Sequence, residues 1–377
     1  MKKLLLLIIL LLILLKNSSV YSSKEETRAI FISYIELQEY MSSKSEEKIK
    51  SNIKLIINNI KKIKTNTIIL QVRSETDALY KSNLFPTSRH INQELKFDLL
   101  KYFIKESHKN NIKLIAWINP YRISTNEKIE SIPESSPAKK FIGTDTIYVK
   151  NGIYWNPSKE ETNKIILKGI DEVLKYKVDG ILLDDYFYPD NEIDRKDYED
   201  YLKENKEVSI EEYHLNIVNN LIKRIYNKCQ KRNVKFGISP DGNIENNYQK
   251  NFADVKEWMS KNGYIDFIMP QIYYGFYNST KGYYKVLKEW ESLLKNDEIE
   301  LLVALAFYKI GREDNYAKDG KFEWIENNNI IMREILLSRN IKNYTGYALF
   351  RYDFIFNENY ISDYTKNELE LIKKINE

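Results

Sequence analysis

Short apolar runs alternate along the chain with stretches whose apolar residues recur every three or four positions. The runs are Arg28–Tyr34, Thr67–Arg73, Lys113–Ile118, Gly180–Asp184, Lys235–Ser239, Phe267–Gln271, Glu300–Ala306 and Gly346–Arg351. Each is rich in β-forming residues and has the length of a strand. Between them, Ile49, Ile53, Ile56, Ile57 and Ile60 follow the spacing of an amphipathic helix, as do Leu215, Val218, Leu221, Ile222 and Ile225 further on. Strand–helix units repeated in this way predict an α/β fold with a parallel sheet. Eight is the number that closes one, so the expected architecture is a (β/α)8 TIM barrel with long loops on its C-terminal face. A doubly wound open sheet would produce a similar string and stands as the alternative.

The polar residues fall where a barrel would use them. Glu36 follows the first run, Arg73 to Asp77 the second, Asn119-Pro120-Tyr121-Arg122 the third and Asp184-Asp185 the fourth. Asp241, Gln271 with Tyr273-Tyr274, Tyr308, and Arg351 with Asp353 follow the others. Strand C-termini converge on one face of a barrel, the face that carries active sites. The longest connections, from Asn119 to about Lys159 and from Tyr186 to about Ser209, leave the same face. They carry Tyr121, Tyr148, Tyr154, Trp155, Tyr186, Phe187 and Tyr188, which suit the walls of a cleft.

Asp184-Asp185 is the sharpest chemical signal. Side chains alternate along a strand, so one of the two points into the barrel mouth and the other toward the wall. Asp184 is expected inward, with Asp185 orienting it or a substrate hydroxyl; the reverse assignment of the two is the alternative. Glycoside hydrolysis needs a carboxyl proton donor and a second carboxyl as nucleophile or base, and crowding two acids favours a protonated one near neutrality. The competing reading is a helix cap. Asp77 is the third catalytic candidate, although it could instead pair with Arg73 or Arg122; Glu36, Asp241 and Asp353 are other acids near strand ends. Sugars stack on aromatic rings and bind amides and guanidinium groups through their hydroxyls. The expected substrate-binding set is therefore Glu36, Arg73, Asn119, Tyr121, Arg122, Tyr186, Tyr188, Gln271, Tyr273 and Tyr274, with Trp117 beside them.

The first residues bear on compartment. Lys2 and Lys3 precede an unbroken Leu/Ile run from Leu4 to Leu15, too short for the roughly 20 residues of a membrane span but matched to a signal-peptide core. Residues 1–22 are read as a signal peptide cleaved near Ser22, and residues 23–377 as one barrel domain, exported and without a stable span after cleavage. An uncleaved anchor is the alternative. Loss of the leader removes Lys2, Lys3 and Lys16 and brings the formal charge of +4 close to neutrality, which argues against a nucleic-acid partner. The single Cys229 forms no internal disulfide and, late in an amphipathic stretch, is expected to be buried and inert. His90, His108 and His214 are the only histidines and are widely spaced, so neither a metal site nor a cofactor is expected. No G-x-S-x-G elbow or phosphate-binding glycine loop is present.

Taken in order, several motifs resemble the bacterial family 10 glycosyl hydrolase-like proteins. They are Ile32-Ser33-Tyr34-Ile35-Glu36, Gln71-Val72-Arg73 with Asp77-Ala78-Leu79-Tyr80, and Trp117-Ile118-Asn119-Pro120-Tyr121-Arg122. Asp179-Gly180 leading to Asp184-Asp185-Tyr186-Phe187-Tyr188-Pro189, Gly237-Ile238-Ser239-Pro240 and Met269-Pro270-Gln271-Ile272-Tyr273 complete them. The resemblance implies a TIM barrel acting on bacterial glycans, with cell-wall, peptidoglycan-type chains as the leading substrate. Ser74-Glu75, Asp241 and Leu182 depart from the family pattern near the cleft. The Asp179–Asp184 and Met269–Tyr273 segments are also similar to family-18 chitinases, in which an N-acetyl group of the substrate replaces the second carboxylate. A carbohydrate-binding barrel without catalysis is the alternative function.

Overall fold

The computed structural model describes residues 25–184, 187–204 and 207–377. The expected leader and the pair Asp185-Tyr186 therefore lie outside the described residues.

Eleven strands appear among the described residues: β1 (Thr27–Ile32), β2 (Thr67–Arg73), β3 (Lys113–Ile118), β4 (Arg122–Ser124), β5 (Ile147–Val149), β6 (Ile153–Trp155), β7 (Gly180–Leu183), β8 (Lys235–Ile238), β9 (Phe267–Ile268), β10 (Glu300–Leu305) and β11 (Tyr344–Leu349). Eight of them close into a parallel barrel in the order β1-β2-β3-β7-β8-β9-β10-β11, with β1 pairing to both β2 and β11. The fold is a (β/α)8 barrel, and the open-sheet alternative is set aside by that closure. Each of the apolar runs read from the sequence supplies one barrel strand. The remaining three strands make a small antiparallel sheet, β4-β6-β5, inside the long connection after β3.

Alternation along the strands sorts the side chains into two cores. Ala29, Phe31, Ile69, Ile115, Trp117, Leu182, Phe267, Leu302 and Ala304 fill the barrel interior. Their neighbours Ile30, Ile68, Leu70, Leu114, Ile181, Leu183 and Val303 face the helices. The helical stripe Ile49, Ile53, Ile56, Ile57 and Ile60 is buried on helix Glu46–Lys62, as the spacing requires. Cys229 is fully buried in the outer core, and burial pushes its thiol up to about 12. Gly237 is needed inside the barrel because a Cβ there would run into the Phe267 ring.

The outer layer holds a buried acidic pair. Glu334, on helix Ile330–Ser338, is fully buried with neither carboxyl oxygen hydrogen-bonded. Burial and the neighbouring Glu368 and Glu323 hold it well above the usual carboxylate range, and burial raises Glu368 to about 7. In the folded chain these groups keep protons that the unfolded chain releases near pH 4.5. Their contribution is therefore present at low pH and lost as pH rises toward 7 and beyond. Thermal unfolding is expected to show a higher midpoint at pH 5 than at pH 8. Glu334→Gln should raise the pH 8 midpoint and flatten the difference; an equal slope in that variant would contradict the assignment.

Candidate active site

The mouth of the barrel holds a cavity of about 320 Å³ lined by Phe31, Ser33, Tyr34, Ile35, Gln71, Trp117, Asn119, Arg122, Asp184, Ser239, Gln271, Tyr273, Tyr308, Phe350 and Arg351. Asp184 follows β7 directly and continues its alternation: Leu182 points inward, Leu183 outward and Asp184 inward again. Its carboxylate is buried and accepts a hydrogen bond from Trp117 Nε1 at 3.0 Å and another from Asn119 Nδ2. A chain of amides orients the donors. Asn119 Oδ1 accepts from Gln71 Nε2 at 2.6 Å and from Arg122 Nη2 at 3.2 Å, and Gln71 Oε1 accepts from the backbone N–H of Tyr34 at 2.9 Å. Asn119 can therefore present only its N–H face to Asp184. Among the described residues Asp184 is the one carboxyl that lines the cavity.

Opposite lies a cluster of rings. Tyr273 packs against Phe350 at 5.7 Å between centroids and against Tyr308 at 5.9 Å. Gln271 donates to Ser239 O at 3.0 Å, which aims its side chain across the mouth. Lys309 Nζ, bonded to Tyr273 O at 2.7 Å and to Asp314 at 2.6 Å, pins this wall from behind.

Glu36 reaches the site only indirectly. Ser33 ends the first strand run by capping helix Tyr34–Met41, and Glu36 closes the capping box by accepting from the Ser33 N–H at 2.9 Å. Its other oxygen is ion-paired with Arg351, whose guanidinium lines the cavity. Glu36 is fully buried, so it acts on the cavity through Arg351 rather than as a wall residue. Asp353 completes this cluster at 3.5 Å from Arg351; burial, with the charges of Glu36 and Glu39, raises it to about 7. The Ser33-x-x-Glu36 spacing signals such a cap in the sequence itself.

Arg73 lies outside the cavity, contrary to its expected place in the substrate-binding set. β2 and β3 shift register between Gln71 and Arg73, so two consecutive residues face outward. Gln71 keeps the inward position, while Arg73 is buried over the Phe85 ring at 4.0 Å, in a space that exists because Gly169 has no Cβ to meet its guanidinium. Burial opposes its charge and lowers its pKa.

Asp77 also lies off the cavity. It is buried beside Glu75 and His90, accepts from the backbone N–H of Arg89 at 3.3 Å, and is raised by burial. The ion pair of this region joins Arg89 to Glu75, not Asp77 to Arg73 or Arg122.

A second hollow, of about 590 Å³, shares Arg122 with the first and is lined by Tyr121, Lys150, Tyr154, Tyr188, Asp190 and Lys250 among others. Tyr188 donates to Asp194, which also faces His214 Nε2 at 2.9 Å, so the loop that carries Tyr188 is tied to helix Ile210–Gln230. Tyr274 is half-buried behind the mouth, against Gly242. Of the expected residues, Asn119, Arg122, Asp184, Gln271 and Tyr273 come together in the first hollow and Tyr121 and Tyr188 in the second. Gln71, Tyr34 and Phe350 are wall residues that strand-end reading missed. Gln71 was legible as an inward position two residues from Ile69. Phe350 was legible in the same way, two residues beyond the inward Ala348.

The model of the family described as "Glycosyl hydrolase-like 10" matches residues 26–322. Among curated proteins, the chain is 31% identical to Glycosyl hydrolase YngK of Bacillus subtilis (strain 168), over 351 aligned positions covering 85% of this chain and 67% of that protein. It is 29% identical to Glycosyl hydrolase DigH of Escherichia coli (strain K12), with 79% and 74% covered. Among solved structures, the catalytic domain of a beta-amylase from Paenibacillus polymyxa superposes with a TM-score of 0.58 at 11% identity, covering 94% of this chain and 99% of that one.

Proposed function

Since the chain belongs to the glycosyl hydrolase-like 10 family and is of the glycoside hydrolase class, we propose that it hydrolyses glycosidic bonds in a bacterial cell-wall, peptidoglycan-type or related polysaccharide, with Asp184 as an acid/base group. The observation that carries this reading is the buried Asp184 carboxyl, oriented by Trp117 and Asn119 at the floor of an aromatic-walled hollow on the C-terminal face. A sugar seated there meets the Tyr273 and Tyr308 rings and, around them, the polar side chains of Asn119, Gln271 and Arg351. As acid, Asp184 passes a proton to the glycosidic oxygen as the bond to the anomeric carbon breaks; water then adds its hydroxyl to that carbon, and the proton it gives up restores the Asp184 carboxyl. Because Asp77 lies off the cavity, the second group is either Asp185, the next residue along, or an N-acetyl group of the sugar itself. The second hollow, joined at Arg122, extends the cleft over further sugar units. The apolar leader supports placing the enzyme outside the cytoplasm, where such polymers lie; among the described residues no helix is long and apolar enough to cross a membrane.

One observation favours a second reading, a carbohydrate-binding barrel without catalysis: a single carboxyl lines the cavity among the described residues. Reducing-end release separates the two. Against intact peptidoglycan, peptide-stripped glycan strands, chitin, xylan and a starch-type glucan, the expected result is release from the N-acetylated, cell-wall-type strands. Binding to any of them without release over long incubation would favour the second reading.

A further inference from the structure

His90 is nine-tenths buried, and its Nε2 has no hydrogen-bond partner. A buried nitrogen left without a partner is costly and calls for an explanation. The other ring nitrogen supplies part of it: Nδ1 faces the Gln38 side-chain carbonyl oxygen at 3.3 Å, an acceptor, so Nδ1 carries the proton and Nε2 keeps its lone pair. The carboxylates of Glu75 and Asp77 complete the cluster: one ligand atom from each of the three residues lies within 4.8 Å of the others. Every hydrogen bond to Glu75 lands on Oε1, from Arg89 at 2.6 Å and from the N–H and hydroxyl of Thr125 at 2.8 and 3.0 Å, which leaves Oε2 for another partner.

We propose that Glu75, Asp77 and His90 form a binding site for one divalent transition cation, of the Zn²⁺ type, outside the catalytic cavity. One imidazole and two carboxylates are a hard-to-borderline donor set suited to zinc, and separations of this size close onto ligand distances of about 2.0–2.2 Å with small side-chain movements. A metal-bound histidine characteristically donates its other ring N–H to a fixed oxygen, as Nδ1 does to Gln38. Arg89, which touches Glu75 on the opposite oxygen, has a side chain 45% exposed and keeps its share of the charge without entering the cluster. Arg89 makes the one ion pair to these two buried carboxylates, and a cation would offset the charge that this pair and the neighbouring hydrogen bonds leave.

Such a site is structural. It ties the segment after β2 to the first helix, and through the His90 ring, stacked on Tyr34 at 4.4 Å, it steadies a residue that lines the cavity. It does not depend on the proposed glycosidase chemistry.

The test uses the full chain purified without chelator. Metal content is measured directly, and the unfolding midpoint is followed through chelation and titration with Zn²⁺, with Mn²⁺ and Ca²⁺ in parallel. The expected result is about one Zn²⁺ per chain, and a midpoint that falls by roughly 5 °C on chelation and recovers with Zn²⁺. His90→Phe keeps a ring against Tyr34; it should fold, as circular dichroism will show, and lose both the metal and the response. A metal-free chain whose midpoint ignores all three ions would overturn the proposal. So would Zn²⁺ bound equally by His90→Phe, which marks adventitious surface binding. Should His90→Phe not fold, Glu75→Gln, with its Oε2 ligand replaced, must show the same loss.

Discussion

Asp184→Asn is expected to lower turnover by about 10²–10⁴-fold, the usual contribution of a positioned acid or base, while moving the unfolding midpoint by only a few degrees. The substitution is nearly isosteric. The carbonyl oxygen of the new amide can still accept from Trp117 Nε1 and Asn119 Nδ2, the two donors that hold the carboxylate. What is lost is the exchangeable proton. The paired control is Asp77→Asn, assayed with Zn²⁺ present: its carboxyl lies off the cavity and the amide oxygen can still face the cation, so the same assay should show activity within about threefold of wild type. Wild-type turnover in Asp184→Asn would remove Asp184 from the chemistry, and a collapse in Asp77→Asn alone would move the acid to the second strand's end.

Glu36→Ala carries the largest expected stability effect. Glu36 satisfies the Ser33 N–H and hydroxyl, the Asp353 N–H and the Arg351 guanidinium, all in a buried setting. Removing one partner of a buried ion pair costs about 3–5 kcal/mol, and loss of the cap adds about 1 kcal/mol. Asp353 modulates the loss. In the wild type it sits near 7 partly because Glu36 repels its charge, so above that pH the folded wild-type chain carries a penalty that the variant escapes. In the variant, Asp353 can ionise and take over Arg351. The destabilisation should therefore be greatest near pH 5 and shrink as pH rises through 7. An unfolding midpoint within two degrees of wild type at pH 5 would show that Arg351 is not held by this pair. Activity should fall as well, because the guanidinium that lines the cavity loses its anchor.

The barrel was legible because its code is local and repeated: each strand run has its own apolar content, and each intervening helix its own stripe. Asp184 was legible for a related reason. A strand's period of two carries the inward side from Leu182 to Asp184 without reference to the rest of the chain. Glu36 could have been placed by its own segment, since Ser33-x-x-Glu36 spells a capping box; strand-like apolarity running on through Tyr34 masked it. Arg73 could not. The period of two predicts it inward beside Gln71, and only the register of β2 against β3 introduces the outward step.

Sequence alone thus determined the parallel barrel and the face on which the strand-end polar residues gather, and favoured the inward aim of Asp184, since these follow from periodicities confined to single elements. Which strand-end residues share a cavity was decided only by the closed structure. Arg351 enters the cavity on the last strand because Glu36, more than three hundred residues earlier, holds it there across the β1–β11 seam. Arg73 leaves it because a bulge turns it to the outer face of β2, and Asp77 because its loop packs it beside Glu75 and His90. Barrel closure, register shifts and ion pairs between distant segments are properties of pairs of elements, and no pattern within one element contains them.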